Sequence, residues 1–125
     1  RRSQSIFALL NMIEHYYSLE VLGSPIEIII HDTGEGVDVL IAGGERPHIG
    51  AVSVKRPGED LITHEFPSHR DSAVSDRWAC VLSERLNKTV IVSAGIHYDN
   101  INKAQIEEIL ISLDTLLDTI TEATE

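Results

Sequence analysis

Three histidines of this chain lie in short polar motifs of a kind that can bind a ligand or transfer a proton. His48 ends the run Gly-Gly-Glu-Arg-Pro-His, His69 precedes an arginine and an aspartate, and His97 lies two residues before an aspartate. A histidine changes its charge near neutral pH, and its neutral ring can bind a metal ion. These motifs therefore allow anion binding, metal binding or acid–base catalysis.

Glycines and arginines in the first two motifs favour the binding of an anion such as phosphate. Gly43 and Gly44 let a ligand approach the main chain closely, and a glycine turn with exposed amides can hold an anion. Arg46 lies in the same turn, and Arg70 precedes a predicted helix start, where free amides also attract phosphate. Neither the P-loop pattern nor the GxGxxG dinucleotide pattern occurs. The alternative is a plain β-turn and a capping loop in which Asp71 is the N-cap.

Metal binding and acid–base catalysis are the other two interpretations of the histidines. His48, His69 and His97 would together suit zinc or iron, and Asp99 could fix the tautomer of His97 or face a ligand. The sequence holds no HExxH pattern, so the spacing does not favour a metal. No GxSxG nucleophile motif occurs either. A binding protein is therefore favoured over an enzyme.

Composition narrows the class of protein. The chain has 125 residues and a formal net charge of −10, which fits one domain with its own core and argues against a nucleic-acid surface. The same acidity disfavours an anionic membrane, and no run reaches the roughly 18 apolar residues of a membrane helix. We find no signal-peptide pattern. We therefore expect a cytoplasmic protein with a single domain over residues 1–125, in which residues 1–19 are an N-terminal extension.

Hydrophobic periodicity predicts an α+β fold. Short β-branched runs between glycine and proline turns predict four strands in an antiparallel meander, and a later run, Thr89–Ala94, predicts a strand buried on both faces. Helical spacing predicts one helix from Asp71 or Ser72 to about Leu86. A second helix should follow Asn102, which starts a capping box. The first four strands are expected at Ile26–Ile30, Val37–Ile41, Ile49–Val54 and Leu61–Phe66.

The N-terminal segment has two interpretations. Apolar residues between Ser5 and Tyr17 have helical spacing, whereas the residues from Tyr17 to Leu22 favour a strand. After this segment the predicted order is β-β-β-β-α-β-α. Strands that come first and helices that come later favour one antiparallel or mixed sheet with the helices packed on one face.

Three motifs together resemble those of a known family. They are Gly-Gly-Glu-Arg-Pro-His-Ile-Gly-Ala-Val at 43–52, Pro-Ser-His-Arg-Asp at 67–71 and Ala-Gly-Ile-His-Tyr-Asp at 94–99. From about Glu20 to its C-terminus, the chain resembles the prenylated-flavin chaperone (LpdD-like) family, which is linked to an accessory protein of gallate decarboxylase. The second motif keeps the residue classes of the family's Gly-His-Lys-Glu pattern but not the identities.

The resemblance implies an α+β sandwich like that of proteasome-assembly chaperones, often forming dimers, and a non-catalytic role. The protein would bind prenylated FMN or FMN, or help to insert prenylated FMN into a UbiD-type decarboxylase. On this interpretation Gly43, Gly44 and Arg70 hold the phosphate, while the histidines line the cofactor or a partner surface. The residues assigned to the cofactor are Gly43, Gly44, Arg46, His48, His69, Arg70, His97 and Asp99.

Two alternatives stay open from the sequence. A metal-dependent or histidine–aspartate acid–base enzyme would need His48, His69 and His97 to converge in space. A homodimeric interaction module without a small-molecule ligand would use the apolar stripe of the last helix or a sheet edge. In that case the three histidine motifs would only form turns and would bind no ligand.

Overall fold

The computed structural model describes residues 13–67 and 70–123, which form a six-stranded sheet with two helices. The elements follow the predicted order after an additional N-terminal strand. No helix in this part of the chain is long and apolar enough to cross a membrane. The elements are β1 (Ile13–Val21), β2 (Ser24–Asp32), β3 (Gly36–Gly44), β4 (Ala51–Lys55), β5 (Ile62–Glu65), α1 (Ser72–Leu86), β6 (Thr89–His97) and α2 (Lys103–Ala123).

The strands lie in the order β1-β2-β3-β6-β4-β5. β1, β2 and β3 form an antiparallel meander, and β4 and β5 form an antiparallel pair. β6 lies between β3 and β4, parallel to β3 and antiparallel to β4. The prediction of one meander through all four early strands is therefore wrong. A parallel neighbour needs a long crossover connection, and the chain makes it through β4, β5 and α1 before β6 enters the sheet.

The N-terminal segment forms a strand from Ile13 onward. β1 pairs with β2 along its whole length, and Tyr17 lies opposite Ile28 on the face that carries the core. The helical interpretation is therefore wrong for residues 13–17, and its earlier part lies outside the described residues. Pairing with a neighbouring strand decides the conformation here, since the local apolar spacing fits a helix equally well.

One face of the sheet packs against both helices. Every second residue of β2 points to this face and is buried, namely Ile26, Ile28 and Ile30. Every second residue of β3 and β6 is buried on the same face. Burial of one such side chain stabilises the fold by about 1.5–3 kcal/mol relative to its exposure. The helices contribute Val74, Trp78, Ala79 and Leu82 from α1 and Ile109, Leu113, Leu117 and Ile120 from α2.

The opposite face of the sheet is covered by no helix in the described part of the chain. It carries Tyr16, Ile62 and Ile91, which are 44%, 66% and 40% exposed. The prediction that β6 is buried on both faces is therefore wrong, because its alternate positions point to this open face. One face of the sheet thus holds the core, and the other exposes apolar side chains in the described part of the chain.

The helix ends follow local rules, with one exception. Asn102 and Gln105 form the predicted capping box, in which each side chain accepts the other's backbone N–H at 2.9 and 2.8 Å. α1 ends at Asn87, which has a left-handed conformation and donates its N–H to the Ser83 carbonyl at 2.8 Å. Asp71 occupies the N-cap position of α1, but its side chain makes no capping hydrogen bond.

Candidate functional site

A cleft of about 350 Å³ lies where β6 ends, between the first turns of α1 and α2. This volume is at the lower end of the range for small-molecule sites. Its apolar lining comes from both helices, from the end of β6 and from the loop that follows. Its polar lining comes from the β3–β4 loop, the start of α1 and the end of β6 with the residue that follows it, and consists of His48, Arg70, Asp71, His97 and Tyr98.

His48 and Asp71 form a hydrogen-bonded pair in this lining. Nε2 of His48 lies 2.9 Å from Oδ2 of Asp71, and Nδ1 lies 2.9 Å from the carbonyl oxygen of Arg46. The two side chains are 22% and 10% exposed. Each ring nitrogen faces an acceptor, so the doubly protonated ring donates to both, whereas a neutral ring donates to only one. The two contacts fix the orientation of the His48 ring at the cleft.

Asp71 joins three segments of the chain. Its second carboxylate oxygen, Oδ1, accepts the backbone N–H of Ile96 at 3.0 Å, and its carbonyl oxygen accepts the N–H groups of Val74 and Ser75 in α1. The prediction of Asp71 as the N-cap is right in position, but the side chain holds β6 and the β3–β4 loop instead of its own helix. Local sequence patterns do not predict this role, because the side chain's partners lie 23 and 25 positions away.

The β3–β4 loop lies along the end of β6. The N–H groups of Glu45 and Arg46 donate to the carbonyl oxygen of His97 at 2.7 and 3.3 Å, and the N–H of Gly50 donates to that of Ala94 at 2.9 Å. β6 itself continues to His97 because it pairs with β3 as far as Gly44, whereas the sequence predicted that the strand would end at Ala94. The loop thus carries His48 across the sheet to the cleft.

Two glycines make this close approach possible. A Cβ on Gly95 would collide with the backbone carbonyl group of His48. Gly44 has a φ of +81°, and a Cβ there would collide with the carbonyl of His97. Both glycines are therefore required by the packing of the β3–β4 loop on β6.

Gly43 and Gly44 do not line the cleft. They border a depression of about 210 Å³ formed by β2 and β3 on the open face of the sheet. The two amides that follow them already donate to β6. The phosphate role assigned to these glycines stays a prediction, and the depression that they border is not lined by Arg70.

His97 and Asp99 form a second pair, which is exposed. Nε2 of His97 lies 2.8 Å from Oδ1 of Asp99, and Nη2 of Arg46 lies 3.4 Å from the same oxygen. The hydrogen bond from His97 lowers the pKa of Asp99, and the charge of Arg46 acts in the same direction, while desolvation opposes both. Glu45 accepts the backbone N–H of Asp99 at 2.6 Å. This contact places Asp99 where it can fix the tautomer of His97, and the alternative that both side chains face a ligand stays a prediction.

Arg70 lines the cleft with an exposed side chain. Among the residues that the structure describes, it has neither a hydrogen bond nor an ion pair. Its guanidinium is therefore open to an anionic ligand, and its planar fork suits a phosphate or a carboxylate.

The structure brings His48, Arg70 and His97 together in one cleft, with Arg46 and Asp99 adjoining it through His97. His69 lies outside the described residues. Within 13–67 and 70–123, no group of three or more His, Cys, Asp or Glu side chains is placed to hold a metal ion. The three-histidine metal alternative includes His69, so it stays an untested prediction.

Comparisons with known proteins bear on family and fold. The family model described as "Prenylated flavin chaperone LpdD-like domain" matches residues 22–125. Protein LpdD of Lactiplantibacillus plantarum is 32% identical over 95 residues, which span 72% of this chain and 70% of that protein. A crystal structure of a chaperone complex for yeast 20S proteasome assembly matches with a TM-score of 0.59 and 12% identity, over 90% of this chain and 97% of that one. The last likeness shows the fold alone.

Proposed function

The chain belongs to the prenylated flavin chaperone LpdD-like family, and we propose that it binds prenylated FMN, or FMN, in the cleft between α1 and α2. In this role the protein carries the cofactor and does not convert it. One observation supports the cleft as the site: it joins an arginine that has no partner in the described chain to an apolar wall. A flavin phosphate has the matching chemistry, since it combines an anionic group with a large ring system.

Arg70 is the proposed phosphate ligand. A guanidinium can form two parallel hydrogen bonds to phosphate oxygens, and these charge-assisted bonds are stronger than neutral ones. The cleft residue Asp71 would repel a phosphate, but its two oxygens are held by His48 and Ile96. The phosphate is therefore expected on the exposed Arg70 side of the cleft, away from the carboxylate.

The two described histidines are the proposed contacts for the ring system. Each ring is held by an aspartate, His48 by Asp71 and His97 by Asp99, so neither has to be ordered when the cofactor enters. Side chains that are already fixed lose less entropy on binding. Arg46 supports this arrangement from outside the cleft through its ion pair with Asp99.

The recipient in this proposal is a UbiD-type decarboxylase. Two lining residues, Ile106 and Leu110, are 45% and 39% exposed, so a cofactor in the cleft would stay accessible from outside. Such a site suits a carrier that must release its cofactor. Transfer of the cofactor tests this part of the proposal: the loaded protein should activate an apo-decarboxylase, whereas the same protein without cofactor should not.

A homodimer is the proposed oligomeric state. The open face of the sheet supports it, because Tyr16, Ile62 and Ile91 expose apolar surface there in the described chain. Exposed apolar patches of this kind are typical of interaction sites. Light scattering on a size-exclusion column should give twice the monomer mass, and a monomer in dilute solution would contradict this part of the proposal.

Native mass spectrometry with added prenylated FMN or FMN tests the site. The wild type should show a bound flavin mass, and Arg70→Ala should weaken binding about tenfold or more, since a hydrogen bond to a charged group contributes about 1.5–3 kcal/mol. Arg56→Ala is the matched control, because Arg56 is exposed in the β4–β5 turn, pairs with Glu59 and does not line the cleft. A wild type without bound flavin would contradict the proposal. If Arg70→Ala bound flavin as well as the wild type does, the placement of the phosphate at Arg70 in the cleft would be wrong.

A further inference from the structure

The side of the cleft that α2 forms carries only hydrocarbon. Ile106, Ile109 and Leu110 line it at positions i, i+3 and i+4, which lie on one face of the helix, and Ile101 joins them from the preceding loop. We name these four residues the α2 wall. Neither a hydrogen-bond donor nor an acceptor belongs to the side chains of this wall.

Two members of the α2 wall are exposed where a solvated helix usually carries polar residues. Ile106 is 45% exposed and Leu110 is 39% exposed, while the intervening Glu107 and Glu108 are charged and exposed. The remaining members are more deeply placed, and Ile109 is 6% exposed. An apolar ligand group that enters the cleft would therefore remove both its own surface and that of the α2 wall from contact with water.

The other polar side chains of the cleft are already engaged. Both ring nitrogens of His48 and one of His97 have partners, and the Tyr98 hydroxyl contacts two main-chain carbonyl oxygens at 2.8 and 3.1 Å. Arg70 is the described cation of the cleft that has no partner. The cleft thus pairs one open cation with an apolar wall, which fits a ligand that joins a phosphate to hydrocarbon.

We infer that the α2 wall binds the isoprenoid hydrocarbon of prenylated FMN and makes the chain selective for the prenylated cofactor over FMN. This inference rests on the proposed function, because it needs a flavin in this cleft. Prenylation adds hydrocarbon to the flavin, so a wall without hydrogen-bonding groups discriminates by burying that hydrocarbon. Arg70 contributes equally to both flavins, since both carry the phosphate.

Calorimetric titration of the full chain with purified prenylated FMN and with FMN tests this selectivity. The wild type should bind prenylated FMN about tenfold or more tightly than FMN, which is the discrimination that small apolar differences give. Ile106→Ala and Leu110→Ala should each weaken the binding of prenylated FMN about tenfold and the binding of FMN much less. Both sites are partly exposed, and alanine favours the helix, so the variants should fold.

Ile111→Ala is the matched control, because Ile111 is 64% exposed on the same helix and does not line the cleft. It should leave both affinities unchanged. Equal losses for the two flavins in the wall variants, or no loss at all, would overturn the inference while leaving flavin binding intact. Wild-type protein that binds neither flavin would overturn the inference together with the proposed function. Arg70→Ala should weaken the binding of both flavins by the same factor.

Discussion

The two histidine–aspartate pairs of the cleft differ in burial and in the segments that they join. His48 and Asp71 are 22% and 10% exposed, and they connect the β3–β4 loop, the start of α1 and the end of β6. His97 and Asp99 are 44% and 43% exposed and lie two positions apart in the chain. The same two residue types therefore serve different purposes.

This difference in burial leads us to expect a structural role for the first pair and a ligand-facing role for the second. Removing one partner of a buried pair leaves the other unpaired, and its desolvation is no longer offset. An exposed pair exchanges its partner for water at little cost. We therefore expect the His48–Asp71 pair to govern stability and the shape of the cleft, and the His97–Asp99 pair to act mainly on the ligand.

The largest expected effect comes from Asp71→Ala. It removes the carboxylate that accepts the N–H of Ile96 and contacts Nε2 of His48, which should lower the free energy of unfolding by about 2–3 kcal/mol. Urea denaturation followed by circular dichroism measures this change. Asp99→Ala is the control, and its transition should stay close to that of the wild type. If both variants unfolded at the same urea concentration, the more buried pair would not contribute more to stability than the exposed pair, which would contradict this expectation.

A smaller effect is expected from Gly95→Ala, which tests the path that brings His48 to Asp71. The new Cβ would meet the His48 carbonyl group, so the β3–β4 loop has to move. Forcing such a methyl group into a packed site costs about 1–3 kcal/mol. Thermal denaturation measures the loss. In Gly36→Ala the nearest atom to the new Cβ is 3.4 Å away, so this matched control should change stability much less.

The smallest effect concerns the titration of Asp99. The hydrogen bond from His97 lowers the pKa of this carboxyl group, with a further contribution from the charge of Arg46. Carbon-detected NMR should show a midpoint below the usual aspartate range, and His97→Ala should move it upward. His64→Ala, an exposed histidine on β5, should leave it unchanged.

The sign of the corresponding pH effect on stability follows from the lowered pKa of Asp99. The contribution of the pair is fully present above the pKa of the unfolded chain, and it is lost as the pH falls through the lower pKa of the folded state. The window therefore lies below about pH 4. A midpoint of Asp99 that does not respond to His97→Ala would contradict the described contact.

Local sequence signals predicted most of the fold. The β-branched runs and glycine turns gave β2 to β6 within a few residues, and the capping box at Asn102 gave the start of α2. β1 was ambiguous because its apolar spacing fits a helix, and pairing with β2 decides its conformation. The position of β6 between β3 and β4 depends on contacts between distant segments, which periodicity does not record.

The candidate site was predicted in part. The sequence singled out His48, Arg70 and His97, and all three line the cleft. It did not predict Asp71 as a side-chain partner, since an aspartate before a helix has the ordinary role of a cap. It gave the α2 stripe a role only as a dimer surface in one alternative, whereas Ile106 and Leu110 of this stripe line the cleft. Both features depend on contacts between segments that are far apart in the sequence.

The most direct test of the account is to map the bound cofactor on the protein by NMR. Amide chemical shifts of the full chain would be recorded while prenylated FMN is added. We expect the largest changes on residues that line the cleft, in the first turn of α1, at 96–101 and at 106–110. Changes confined to the open face of the sheet, around Leu40 and Ile91, would contradict the placement of the site.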